Sequence, residues 1–131
     1  MKERLNASTL GKLPSHVARP RYDRATLAAG IVHLGIGAFQ RAHQAMYTEA
    51  ALNAGDLRWG IVGASLRSPA ARDALAPQDC LYTIAVRSGA GTEHRIIGSV
   101  LQTEVARNNS AHLIAPIICS RSPSAPRTAS V

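Results

Sequence analysis

The chain has 131 residues, 46% of them apolar and 4% aromatic, with a formal net charge of +7. That length suffices for one domain, the apolar content excludes a disordered chain, and no apolar run approaches a membrane span. The Lys and Arg residues are scattered, with Arg19, Arg21 and Arg24 the only loose group. With so few aromatics this argues against nucleic-acid binding and leaves a general attraction for phosphate-bearing small molecules.

Residues 1–29 read as an N-terminal arm. Met1 to Asn6 lacks the apolar core of a signal peptide, so a cytoplasmic location is the expectation. Thr9 to Pro14 gives a short helical turn, and Ser15 to Ala29 reads as extended and irregular. Ile31 to Ile36 is a first strand, and Phe39 to Ala54 a helix closed by Gly55-Asp56. Trp59 to Leu66 is near-continuously apolar, as buried parallel strands are. Ser68-Pro69 then opens a short helix to about Ala76, with a capping hydroxyl followed by proline at the first position. Leu81 to Val86 and Arg95 to Leu101 are β-rich and separated by Ser88-Gly89-Ala90-Gly91, which predicts an antiparallel hairpin inserted into a sheet that begins as parallel. Residues 106–131 hold three Arg and no acid and end in a Pro/Ser-rich run, the composition of a disordered tail.

The densest chemistry lies between the first strand and the first helix, in Gly35-Ile36-Gly37-Ala38-Phe39-Gln40-Arg41. Strand, glycine turn, helix is the context of a dinucleotide-phosphate loop. The first glycine permits a tight turn, and the second lets backbone approach a pyrophosphate without a Cβ in the way. Gln40 stands where the third glycine of G-x-G-x-x-G would be, so helix and strand cannot approach as closely. On the motif alone, nucleotide binding and an ordinary strand-to-helix turn both stand.

Other chemistries find little support. Cys80 and Cys119 lack C-x-x-C spacing and read as small thiols in a reducing compartment. His16, His33, His43, His94 and His112 show no metal-ligand spacing. His43 shares a helix face with Tyr47, which suits a packing role or a ligand contact. Gly63-Ala64-Ser65-Leu66-Arg67 misses the nucleophile elbow at its last position, and Asp73 and Asp79 read as cap or turn residues.

Ile31 to Phe39 with Arg41-Ala42-His43-Gln44-Ala45 resembles the opening of the mannitol dehydrogenase family, the polyol-specific long-chain dehydrogenases with their fructuronate, tagaturonate and altronate relatives. The likeness continues through Trp59 to Ser68, Arg72 to Asp79 and Leu81-Tyr82-Thr83, and fades from about Gln102. Family members usually carry His where Gln40 stands and commonly Gly where Cys80 stands. The resemblance implies an α/β fold, here a partial Rossmann-like domain over residues 30–105. It implies the N-terminal, cofactor-binding part of an NAD(P)-dependent oxidoreductase that interconverts a polyol or aldonate with its keto sugar. Gly35, Gly37, Ala38, Phe39, Gln40 and Arg41 are the expected cofactor contacts, with Arg67 and Ser68 near the adenosine ribose. Some relatives have an acid near Pro69 or Ala70 that this chain lacks. Arg67 and Arg72 would suit a 2′-phosphate, or Arg67 is a solvated strand end, so NAD and NADP both stay open.

Catalysis in the family is implied to use a Lys base with Asn and His from a helical C-terminal domain, without metal. This chain has only Lys2 and Lys12, both in the arm, so no residue here is expected to be catalytic. The partner expected is a nicotinamide dinucleotide, with a polyol or keto-sugar substrate in the longer enzyme alone. The order usual for such folds places strand 1 between strands 2 and 4. Strand 4 is not expected here, which leaves the first strand as an apolar edge, and the tail is expected to be altered or out of frame. A remnant without function, a nucleotide-binding module without catalysis, and a subunit completed by a partner chain are the alternatives.

Overall fold

The computed structural model describes residues 3–105. The expectation of a disordered, divergent tail over 106–131 lies outside the described residues.

The sheet forms where β-branched and small apolar residues run unbroken. β1 (Ala29–Leu34) and β2 (Gly60–Ser65) pair in parallel, with Ile31 opposite Ile61 and Leu34 opposite Ala64. Ile61, Val62 and Ala64 are fully buried, as the apolar run predicts for a strand covered on both faces. Helices α1 (Ala38–Ala42), α2 (Gln44–Asn53) and α3 (Ala70–Leu75) connect the strands. The hairpin is present as β3 (Tyr82–Ser88) and β4 (Gly91–Ile97), antiparallel from Tyr82–Ile97 to Ser88–Gly91. A final strand, β5 (Val100–Val105), lies parallel to β2, so the sheet order is β1, β2, β5. This is the 3-2-1 half of a doubly wound Rossmann sheet, and β1 is its edge among the described residues.

Three expectations need correction. The β-rich run from Arg95 to Leu101 is not one hairpin strand, because β4 stops at Ile97 and Val100 begins the third parallel strand. The break is imposed from outside the hairpin. The Gly98 N–H donates to Glu49 Oε2 at 2.8 Å, Arg24 Nε donates to Gly98 O at 3.0 Å, and Ser99 Oγ donates to Ala45 O at 3.0 Å. The helix expected from Phe39 to Ala54 is two helices, divided at His43 with φ −115 and ψ −71. Tyr82 donates its hydroxyl to Arg41 O at 2.9 Å, the carbonyl that a continuous helix would offer to Ala45. The next helix starts at Ala70, one residue later than expected, although Ser68 Oγ does accept from Ala70 N at 3.2 Å.

The described residues before β1 are largely irregular, yet they are tied to one another and to the rest of the chain. Short 3₁₀ turns occupy Leu10–Lys12 and Arg24–Thr26. Ala18 bridges to β4 through Ala18 N to His94 O and Ile96 N to Ala18 O. Arg24 also donates to Asp79 O at 2.8 Å and Val100 O at 2.9 Å, and Arg19 donates to Leu10 O and Leu13 O at 3.0 Å. Two of the three clustered arginines therefore act as staples on backbone carbonyls, which accounts for part of the positive charge without any external partner.

Buried polar groups mark where this packing is costly. Glu49 is buried on α2 and accepts from Tyr22 Oη and Gly98 N, both at 2.8 Å. Burial raises the Glu49 carboxyl above the ordinary carboxylate range against the opposing pull of those hydrogen bonds. Gln40 on α1 is 4% exposed, and neither its Oε1 nor its Nε2 has a partner among the described residues.

A carboxyl whose folded-state pKa is raised contributes most below its unfolded pKa, and that contribution is lost as pH rises. Urea midpoints of wild type and Glu49→Gln between about pH 4 and about pH 8 should diverge, the variant gaining on wild type toward the alkaline end. A difference independent of pH would contradict the buried-carboxyl account. Gln40→Met, close in volume and free of orphaned polar atoms, should raise unfolding stability by roughly 1 kcal/mol in the same assay.

Candidate functional site

At the C-terminal end of β1 the chain leaves the sheet through the glycine turn. Gly35 holds φ +89, a left-handed conformation that an L side chain rarely adopts. Its N–H donates to Ala64 O at 2.7 Å, which carries the β1–β2 ladder one residue past the strand. Ile36 turns inward, 3% exposed, and packs where a Cβ on Gly63 would overlap it. The missing side chain at Gly63 thus lets the turn settle onto β2.

Gly37 caps α1 without a side chain, and a Cβ built on it meets nothing within 4 Å. Ala38, Phe39 and Gln40 are the first three helical residues, whose N–H groups have no intrahelical acceptor. Open space over Gly37 beside a run of free donors is the shape and polarity that a pyrophosphate requires. The mouth is apolar: Leu34, Phe39 and Leu66 are 60%, 78% and 54% exposed, and the Phe39 ring lies 4.5 Å from that of His43.

The structure brings Gly35, Gly37, Ala38, Phe39 and Arg41 together on one exposed turn. The Gln40 side chain is turned inward, so this residue offers the turn only its backbone N–H. Arg41 N donates to Gly37 O at 3.2 Å, which closes the first helical turn. Arg67 and Ser68 stand exposed just beyond β2, the neighbouring strand. Arg72 pairs with Asp73 at 2.8 Å, which leaves Arg67 as the cation without a hydrogen-bond partner there among the described residues.

No motif in the sequence points to a second feature, a cleft of about 960 Å³ beside β5, lined by residues that include Thr26, Leu27, Ala28, Leu101, Gln102 and Glu104. It contains none of the expected cofactor contacts. Its Arg24 is committed to backbone carbonyls and its Arg72 to Asp73, while Asp79 and Glu104 add negative charge. Cys80 also borders this cleft, but burial pushes its thiol pKa up, which disfavours the nucleophilic thiolate. Among the described residues no three His, Cys, Asp or Glu side chains gather as a metal site, and no helix is long and apolar enough to cross a membrane.

The profile of the mannitol dehydrogenase Rossmann domain matches residues 29–120, past Gln102, where the likeness read from the residues fades. The chain is 41% identical over 115 residues to mannitol 2-dehydrogenase of Pyrenophora tritici-repentis, which covers 86% of this chain and 20% of that protein. It is 46% identical over 87 residues to D-mannonate oxidoreductase of Escherichia coli, covering 64% and 18% of the two chains. Among solved structures, the Pseudomonas fluorescens mannitol 2-dehydrogenase ternary complex with NAD and D-mannitol superposes with a TM-score of 0.78 at 41% identity, over 87% of this chain and 24% of that one. The chain therefore spans about a fifth of the length of these curated relatives. By sequence and by fold, it belongs to the mannitol dehydrogenase family through that family's Rossmann domain.

Proposed function

We propose that this chain is the cofactor-binding part of an NAD(P)-dependent oxidoreductase that interconverts a polyol or aldonate with its keto sugar. The observation that carries the reading is the turn Gly35–Gln40, with open space over Gly37 and free N–H groups on Ala38, Phe39 and Gln40 at the C-terminal end of a parallel sheet. Those groups would hold the pyrophosphate, and the exposed Phe39 ring would shield it from water. A nicotinamide dinucleotide supplies hydride acceptance or donation when bound. NAD in the Pseudomonas fluorescens relative supports NAD as the cofactor here. Exposed Arg67 and the lack of an acid from Leu66 to Arg72 support NADP as well.

The chain supplies binding and orientation without the chemical step. Lys12, one of its two lysines, pairs at the surface with Glu3 at 3.1 Å and does not serve as a base beside the turn. Turnover of a polyol then belongs to a longer polypeptide, and a binding module without catalysis is the second reading that this observation favours.

Thermal unfolding in NAD+, NADH and NADP+ tests the proposal. Stabilisation should grow with the logarithm of dinucleotide concentration. Gly37→Val should unfold at nearly the wild-type temperature, since φ −87 suits any residue and no neighbour crowds the site, yet lose the ligand-induced shift. Arg67→Ala should weaken NADP+ more than NAD+. An unchanged shift in Gly37→Val would refute the placement of the pyrophosphate.

A further inference from the structure

We infer that Tyr82 of the hairpin is a positioning residue for the glycine turn, a role that rests on the dinucleotide reading for its functional consequence. The turn is strung on four hydrogen bonds in series. At one end Gly35 N donates to Ala64 O of β2 at 2.7 Å. Gly37 N then donates to Gly35 O at 2.9 Å, and Arg41 N to Gly37 O at 3.2 Å. At the other end Tyr82 Oη donates to Arg41 O at 2.9 Å. One anchor is thus the parallel sheet and the other is the inserted hairpin.

Without the second anchor, α1 has little to fix its far end. It is five residues long, and its one buried side chain, Gln40, has no polar partner among the described residues. The Tyr82 hydroxyl is the one side-chain hydrogen bond that joins α1 to another element among the described residues. Its ring is buried, 9% exposed, in the same apolar cluster as Ile36 of the turn and Ile97, its partner across the hairpin. The chain reaches this position through Asp79 and Cys80, both at left-handed φ (+51 and +58), which reverse direction just before β3. By occupying Arg41 O the hydroxyl also supports the break at His43. That break ends the short first helix, whose first N–H groups are those of Ala38, Phe39 and Gln40.

Tyr82→Phe keeps the ring and removes only the tie. Amide hydrogen exchange on the full chain should accelerate by roughly 3- to 10-fold over Gly35–Tyr47 while the β3–β4 amides stay unchanged. The Kd for NADH, read by fluorescence titration, should rise by a similar factor, with the unfolding temperature lowered by roughly 3–10 °C. Unchanged exchange in the turn, acceleration spread equally over hairpin and sheet, or an unaltered Kd in a chain that binds NADH would each overturn the inference. Failure of the wild-type chain to bind NADH would refute the dinucleotide reading instead, and the exchange comparison would then decide the role of Tyr82 by itself.

Discussion

The hydrogen bond from Gly35 N–H to Ala64 O sets where the chain stops being sheet and becomes turn. It forms because Gly35 accepts φ +89, which aims the backbone away from the β1 ladder immediately after its last pair. Ile36 then drops into the space left by the missing side chain of Gly63, and Gly37 emerges on the open side. Two strands, one helix start and the candidate anion site are fixed by that single change of direction. A side chain at Gly35 or Gly63 would disturb all of them together, by backbone strain at one position and steric overlap at the other.

Around this point a second layer of contacts makes a half-sheet into a packed body. The Rossmann pattern alone would leave three strands and short helices with little to cover their ends. Here the arm is joined to the sheet by Arg24, which donates to Gly98 O on the link between β4 and β5 and to Val100 O at the start of β5. Glu49 receives the Gly98 N–H and the Tyr22 hydroxyl at the same place. Arm, α2, hairpin and β5 therefore meet at Gly98-Ser99. Burying a carboxyl there carries a desolvation cost, offset by a set of donors that fixes the crossover from antiparallel hairpin to parallel strand.

Much of this architecture was legible in the residues. β1, β2, the glycine turn and the hairpin follow from apolar runs and turn residues, and the likeness around Gly35–Ala45 supplies the family. Two features escaped for one reason: each depends on a contact between residues far apart in sequence. Arg95–Leu101 looks like one hairpin strand until Glu49 and Arg24 cut it at Gly98, and Phe39–Ala54 looks like one helix until Tyr82 takes the Arg41 carbonyl. Local periodicity carries no trace of either event. The candidate site was legible as backbone more than as side chains. Gln40 is expected as a cofactor contact, but its side chain is buried and only its backbone N–H faces the turn. The departure at Cys80, where the family commonly has Gly, falls at φ +58, the left-handed region that favours glycine.

The account stands or falls on whether the free N–H groups of the turn are where a dinucleotide lands. Amide chemical-shift mapping of the ¹⁵N-labelled chain during titration with NAD+ is the most direct measurement. The largest, saturating shifts should fall on Gly35 to Arg41, with smaller ones at Arg67 and Ser68. Saturating shifts confined to Thr26–Ala28 and Leu101–Glu104 would place the ligand in the cleft beside β5 and contradict the account.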